Sequence, residues 1–498
     1  MATTGELYDN YKLKMQRIAD VRNANAVLQW DQETHLPKKG ATIRGQQMST
    51  LSELAHQMFT NEEFGNVLNE LAGRDDLSED EKINIELTLE DYSKNKKYSS
   101  QFVRKLSDQT NKAFHSWIEA RQKNSFQIFE KDLSSLVTLK KEEAEILGYE
   151  HHPYNALLNE FEKGCTVSLL NNTFSDLLPK LKLLLEEISS KEQVDDSFLF
   201  QNYPRQQQWD WGMHLIKELQ FDFEAGRQDI SEHPFSTSFS RQDVRITTRI
   251  DENDLGNMTW SCIHEAGHAL YEQGLPQDEY GLPLGEACSY SIHESQSRLW
   301  ENNVGRSKIF WEHYLPSLKK YFPEQLSKIS ADAFYKGINK VQPSLIRTQA
   351  DEISYHIHVY IRYLLEKKLI EGSLPAKDIP EFWNSNYKEL LGVIVPDDKK
   401  GCLQDVHWSH GSFGYFPTYS LGSFYAAQFF AQAETEITGL AEQIAGGNFS
   451  ELLLWLRKNV HAKGRKYTSE ELCKKITGKG LEVDYFLEYA TKKYKLIY

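Results

Sequence analysis

The chain has 498 residues and a net charge of −15, from 57 basic and 72 acidic side chains. It contains no basic block able to neutralise a row of phosphates, which argues against a nucleic-acid binder. Hydrophobic residues (40%) suffice for a large core, while 28 Gly and 14 Pro are too few for a many-turned β architecture.

The N-terminus lacks the apolar core of a signal peptide, and no run of about 18 apolar residues occurs, so a cytoplasmic protein that does not span a membrane is expected. Residues 1–230 read as a series of helices. Ser78 and Glu81 form a capping box, each side chain able to bond the other's backbone N–H. Residues 102–147 lack Pro and Gly and repeat apolar side chains at three- and four-residue steps, which predicts one long helix or a pair. Thr166 can cap the next helix, where Pro179 predicts a kink or break. The texture changes at Ser231: residues 233–250 alternate and are rich in Ser, Thr, Val and Ile, which predicts a strand or hairpin. Helical patterning returns at Met258 and runs to the end. A single, mainly helical domain is expected, with residues 1–230 as a helical lobe covering a groove and residues 231–498 as the catalytic lobe. Five widely spaced cysteines (Cys165, Cys262, Cys288, Cys402, Cys473) form no Cys-x-x-Cys pair, so neither a thiolate zinc site nor an oxidising compartment is expected.

Residues 264–268 read His-Glu-Ala-Gly-His. On a helix, positions four apart lie one above the other, so His264 and His268 can present two imidazoles to one metal ion. Glu265 projects about 100° round the axis and is placed to take a proton from an attacking water. Zinc held this way needs a third protein ligand and one open position. Glu294, on a later helical stretch, is the preferred third ligand, because a carboxylate keeps the site less positive; His293 is its rival. Gly267 costs about 1 kcal/mol of helix propensity relative to Ala, which points to close packing or substrate approach there.

These residues resemble the carboxypeptidase Taq family of metallocarboxypeptidases, and the resemblance extends over nearly the whole chain. Residues 28–45 look like that family's N-terminal signature. His233-Pro234-Phe235, Asp243 to Thr247 (Asp-x-Arg-x-Thr), His264 to His268, His293 to Gln296, Ile346 to Asp351 and Gly401 to Trp408 (Gly-x-x-Gln-Asp-x-His-Trp) match its motifs in order. The resemblance implies a saddle-like helical fold with a deep central groove lined by a small hairpin or sheet. It implies a homodimer that removes single residues from peptide C-termini with broad specificity, typically sparing terminal Pro. Zinc is the expected ion, one per chain, and cobalt could substitute.

An exopeptidase must recognise a free carboxylate, and a guanidinium meets one bidentately. Arg347 is the first choice; the alternative is a structural pair with Asp351 on the same helix. Arg245 and Arg249 are further candidates for substrate contact, against structural ion pairs. His410, Tyr415 and Tyr419 could donate to the developing oxyanion, or simply pack. His407 could touch substrate, or be buried beside Trp408. The strand carrying His233 could pair with an extended peptide. Glu352 with His356, and Ser354 with His358, could line the groove, although satisfied core positions are the plainer reading. The competing functions are an endo-oligopeptidase with the same zinc chemistry, and an inactive scaffold with a structural zinc.

Overall fold

The computed structural model of the protein describes residues 2–498. Among these residues are twenty-one α-helices and one three-stranded sheet, and no helix is long and apolar enough to cross a membrane. The predicted helix pair is observed as Ser100–Lys123 and Gln127–Leu147. The break falls at Asn124, whose φ of 52° is a left-handed C-cap that Asn tolerates better than most residues. Ser78 and Glu81 form the capping box, and Thr166 accepts from Leu169 N–H.

Pro179 does not break its helix, which runs unbroken from Val167 to Ser189. Leu170, Phe174, Leu177, Leu181, Leu184 and Leu185 bury one face of it on both sides of the proline. Each such burial stabilises by about 1.5–3 kcal/mol, and together they outweigh the roughly 3 kcal/mol that an interior proline costs.

The hairpin expected at 233–250 is present as Ser236–Ser240 (β2) and Asp243–Thr248 (β3), paired antiparallel. A third strand, Gly226–Ile230 (β1), pairs parallel with β3, giving the order β1-β3-β2. Its sequence, Gly-Arg-Gln-Asp-Ile, has no apolar alternation; its buried residues are the polar neighbours Gln228 and Asp229, which lie on opposite faces of the strand.

Two apolar cores form. Leu7, Tyr11, Phe59, Phe64, Leu68, Ile85 and Tyr92 cluster with Leu282 in a satellite core made by the first helices. The main core runs from Ala113 to Ile497 and contains the sheet and the helices that carry the metal motifs. Along the first helices the satellite core ends at Tyr92 and the main core begins at Ala113. Polar bonds tie the satellite down: Asn84 Nδ2 donates to Glu279 Oε2 at 2.8 Å, and Arg465 forks onto Asp91 at 2.7 and 2.9 Å. Trp30, near the end of the first helix, packs on the sheet against Arg245 and Arg227, register partners on β3 and β1 whose guanidiniums lie 4.4 and 5.2 Å from its ring centre.

Candidate metal centre

The helix Leu255–Glu272 starts at Asp254, whose carboxylate accepts from Gly256 and Asn257 N–H. It carries His264 and His268 on one face, with ring centroids 4.9 Å apart and planes nearly perpendicular. Ser289 caps the helix Tyr290–Arg298, which carries Glu294. Gly267 explains the approach of these two helices: a Cβ there would lie 2.6 Å from Ser297 Cα and 2.8 Å from Gln296 O. Of the two sequence readings of that glycine, close packing is the one observed.

Glu294 Oε2 lies 3.8 Å from His264 Nε2 and 3.6 Å from His268 Nε2, and the three ligand atoms fall within 4.8 Å of one another. Tetrahedral coordination at about 2.0–2.1 Å calls for ligand separations of about 3.3 Å, so small side-chain adjustments close the set on an ion. The outer ring nitrogens are already committed. His268 Nδ1 donates to the His293 carbonyl at 3.1 Å, and His264 Nδ1 to Glu301 Oε2 at 2.9 Å. A carbonyl can only accept, so the proton of neutral His268 sits on Nδ1 and its Nε2 lone pair faces the cluster. Burial, reinforced by His293 and His264, holds His268 well below its ordinary pKa. Burial also lowers His264, but Glu294 and Glu301 outweigh it and leave that ring raised. The cluster's negative charge thus favours a cation, and the donor set of two imidazoles and one carboxylate fits a divalent ion such as zinc.

His293 turns away from the cluster. Its ring stacks on His268 at 4.4 Å and its Nε2 meets Glu272 Oε1 at 2.9 Å. The other carboxylate oxygen of Glu294 accepts from Arg298 Nε at 2.7 Å. Arg298 also reaches Glu301, in a π-helical segment, Leu299–Val304, of the kind often found at functional sites. Burial would raise the Glu301 carboxyl, but Arg298, His264 and Arg306 hold it well below the usual carboxylate range. The sequence motif does not reach Arg298 and Glu301, although their positions four and seven residues after Glu294 mark one helical face.

Glu265 is buried, and its Oε2 has no hydrogen-bond partner. Burial pushes its carboxyl up to about 7, aided by Glu294 and opposed by His264. An unpartnered carboxylate oxygen beside a metal set, with a pKa near neutrality, suits a general base.

Arg347 is buried in a 3-10 turn, Arg347–Gln349, rather than on a helix. The pairing with Asp351 considered from sequence does not form, because Asp351 instead accepts from Ile353 and Ser354 N–H at 2.9 Å. The partner of Arg347 is Asp405, whose Oδ1 accepts from Nε and Nη2 at 3.0 and 2.9 Å. Arg347 Nη1 donates to Tyr355 Oη at 3.1 Å. Arg362 Nε binds the other oxygen of Asp405 at 2.7 Å, so two guanidiniums share one carboxylate.

Tyr419 Oη meets His407 Nε2 at 3.0 Å, and the Tyr419 and Tyr415 rings lie 5.2 Å apart. Burial and the Arg347 charge push His407 down to about 3, so it is neutral. The charge of Glu294 helps to raise both tyrosines, which burial raises most. His410 is exposed; its ring lies 4.9 Å from Phe114, in an open cleft of about 750 Å³ lined also by Tyr98, Phe102 and Glu160. Arg245 forks onto Asp243 at 2.8 Å while lying over Trp30, and Arg249 is exposed. The His233 side chain is exposed at the turn before β2, and its carbonyl accepts from Ser231 Oγ at 2.6 Å. His356, His358 and Glu352 are core residues: they meet Ser420, Tyr387 and Lys493 at 2.9, 2.9 and 2.8 Å.

The model of the carboxypeptidase Taq (M32) metallopeptidases matches residues 10–494. Thermostable carboxypeptidase 1 of Thermus thermophilus is 38% identical over 99% of this chain and 99% of its own. Carboxypeptidase 1 of Bacillus subtilis is 36% identical, over 97% of each chain. The crystal structure of an M32 carboxypeptidase from Deinococcus radiodurans R1 superposes with a TM-score of 0.97 at 36% identity, covering 99% of both chains.

Proposed function

The chain belongs to the carboxypeptidase Taq (M32) family of metallopeptidases, and on that premise we propose that it is a zinc-dependent carboxypeptidase that removes single residues from free peptide C-termini with broad specificity. The coarse activity, peptide hydrolysis by a metallocarboxypeptidase, comes with the family. The observation that carries the finer reading is the convergence of His264, His268 and Glu294 within 4.8 Å beside an unpartnered Glu265 oxygen. His264, His268 and Glu294 would hold the ion, which when bound would supply Lewis acidity at the scissile carbonyl and lower the pKa of water toward about 7.

Glu265 takes the proton from the attacking water at Oε2 and delivers it to the departing amine. Arg298 aims the Glu294 carboxylate by a hydrogen bond to its other oxygen, and Glu301 fixes the His264 tautomer. Tyr415 and Tyr419, which both sense the Glu294 charge, are better placed as oxyanion donors than His410, which packs on Phe114. Arg347 captures the substrate carboxylate. The support is a surplus of charge: with Arg362 it faces a single carboxylate, Asp405, leaving one positive charge unmatched. His407 holds Tyr419, and the β2 edge with His233 and Arg245 borders the extended peptide. A cytoplasmic homodimer is the expected form.

The test is metal analysis combined with mass spectrometry of peptide digests. About one zinc per chain, restoration by cobalt after chelation, and a ladder from free-acid peptides with little release from C-terminally amidated ones are expected. Equal cutting of both peptides would make it an endopeptidase. A fully metallated protein that leaves free-ended peptides intact would end the reading.

A further inference from the structure

A second cavity, about 250 Å³, is built by four separate segments, one of them the loop before β1, which supplies Asp222 and Ala225. The β2–β3 turn supplies Arg241 and Gln242, the end of the helix bearing His264 supplies Gln273 and then Gln277, and the helix Ser450–Asn459 supplies Arg457. Both guanidiniums are half-buried, and among the described residues neither has a carboxylate within ion-pair distance. Arg241 spends one N–H on the Leu275 carbonyl at 3.2 Å. Arg457 Nε is buried without any hydrogen-bond partner. Gln273 is committed to the scaffold, accepting from Asp222 N–H at 3.1 Å and donating to the Asp222 carbonyl at 2.9 Å. The side-chain amides of Gln242 and Gln277 have no such bonds among the described residues and remain available to a ligand.

Two positive forks in one half-enclosed space repel each other. Asp222, the one carboxylate lining it, offsets a single charge, and its pull on Arg457 is weaker than the push from Arg241. The unused donors converge from different directions: two guanidiniums on different elements and two amides. A carboxylate has two oxygens and suits one fork, whereas a tetrahedral oxyanion offers enough oxygens for both forks and the amides together.

We infer that the cavity between Arg241 and Arg457 is a binding site for a phosphate-class oxyanion, separate from the metal centre. It takes inorganic phosphate or the phosphate group of a small ester, and both forks donate to the bound anion.

The experiment titrates inorganic phosphate into the metal-loaded full chain at constant ionic strength, following binding by calorimetry and the melting temperature. Saturable binding with a rise in melting temperature is expected, with acetate giving neither. Charge-assisted bonds of this kind imply a loss of at least about tenfold in affinity for Arg241→Gln and for Arg457→Gln. Arg457→Lys keeps the charge but not the fork, and weaker binding is expected there too. Parallel titration of glycerol phosphate distinguishes an ester from the free ion, tighter binding of either identifying the natural form. No saturable phosphate binding by the wild type would overturn the site, as would wild-type affinity in all the arginine variants, which would put the phosphate at the metal instead.

Discussion

Glu294 rests directly on the backbone of Gly422: a Cβ at that glycine would come within 2.6 Å of both Cβ and Cγ of Glu294. Gly267 presses the same helix from the other side, against the backbone of Gln296 and Ser297. The candidate ligand helix is therefore clamped between two helices that approach through glycine. In Gly422→Ala the methyl group must displace the Glu294 side chain, whose carboxylate then no longer faces both imidazoles. Supporting contacts of this kind are worth about 10–100-fold in metal affinity, so a loss in that range is expected by chelator competition, with the helical circular dichroism retained. Unchanged affinity would mean that Glu294 does not bind the ion.

Glu265→Gln preserves the shape of the side chain and the ligand set but cannot accept a proton. Metal content should stay at the wild-type level while kcat falls by about 10²–10⁴-fold, the usual worth of a general base. Substantial residual turnover would assign proton transfer to another group.

Arg347→Ala separates substrate capture from structure. The variant removes two bonds to Asp405 and one to Tyr355, so some loss of melting temperature is expected even though Arg362 still holds Asp405. That loss affects all substrates alike. If Arg347 binds the terminal carboxylate, kcat/KM for free-acid peptides falls by at least about tenfold, the worth of one charge-assisted bond, while zinc content and the slow turnover of amidated peptides stay level. An unchanged free-acid to amide ratio would make Arg347 purely structural.

The helices, the hairpin and the His264/His268 pair were legible because each depends on short-range spacing. Ser78 and Thr166 act through their own backbone neighbourhood, and the two imidazoles need only one helical turn. What was not legible depends on long-range contact. β1 is a strand because β3 lies beside it, and its buried residues, Gln228 and Asp229, are polar and carry no apolar alternation. Arg347 finds Asp405 across 58 positions rather than Asp351 at four, since the turn at 347–349 is not the continuous helix that an i,i+4 reading assumes. Pro179 misleads for the opposite reason: its local cost is real, but tertiary burial overrides it. Arg298 and Glu301 lay within reach, because their spacing from Glu294 is helical; they were passed over because the motif ends before them.

Glu366 gives a prediction in pH. It lies on the helix Ser354–Glu371 and accepts from Trp408 Nε1 and Gly414 N, both at 2.8 Å, and it also pairs with Tyr154 Oη. Trp408 and Gly414 flank the loop between His407 and Tyr415, so this one carboxyl anchors the loop at both ends. Burial pushes it from 4.5 up to about 7. Between those values the folded chain keeps a proton that the unfolded chain has released. The associated stability is therefore full below pH 4.5 and is lost as pH rises through 7, an integrated change of about 3 kcal/mol. Glu366→Gln stays neutral throughout and lacks this dependence. The stability advantage of wild type over the variant, from denaturant unfolding, should shrink by about that amount between pH 4.5 and 7.5. A pH-independent difference would mean that Glu366 keeps an ordinary pKa. The loop should also be misaligned in the variant, because an amide N–H facing Trp408 or Gly414 puts donor against donor; kcat should then fall while metal content does not.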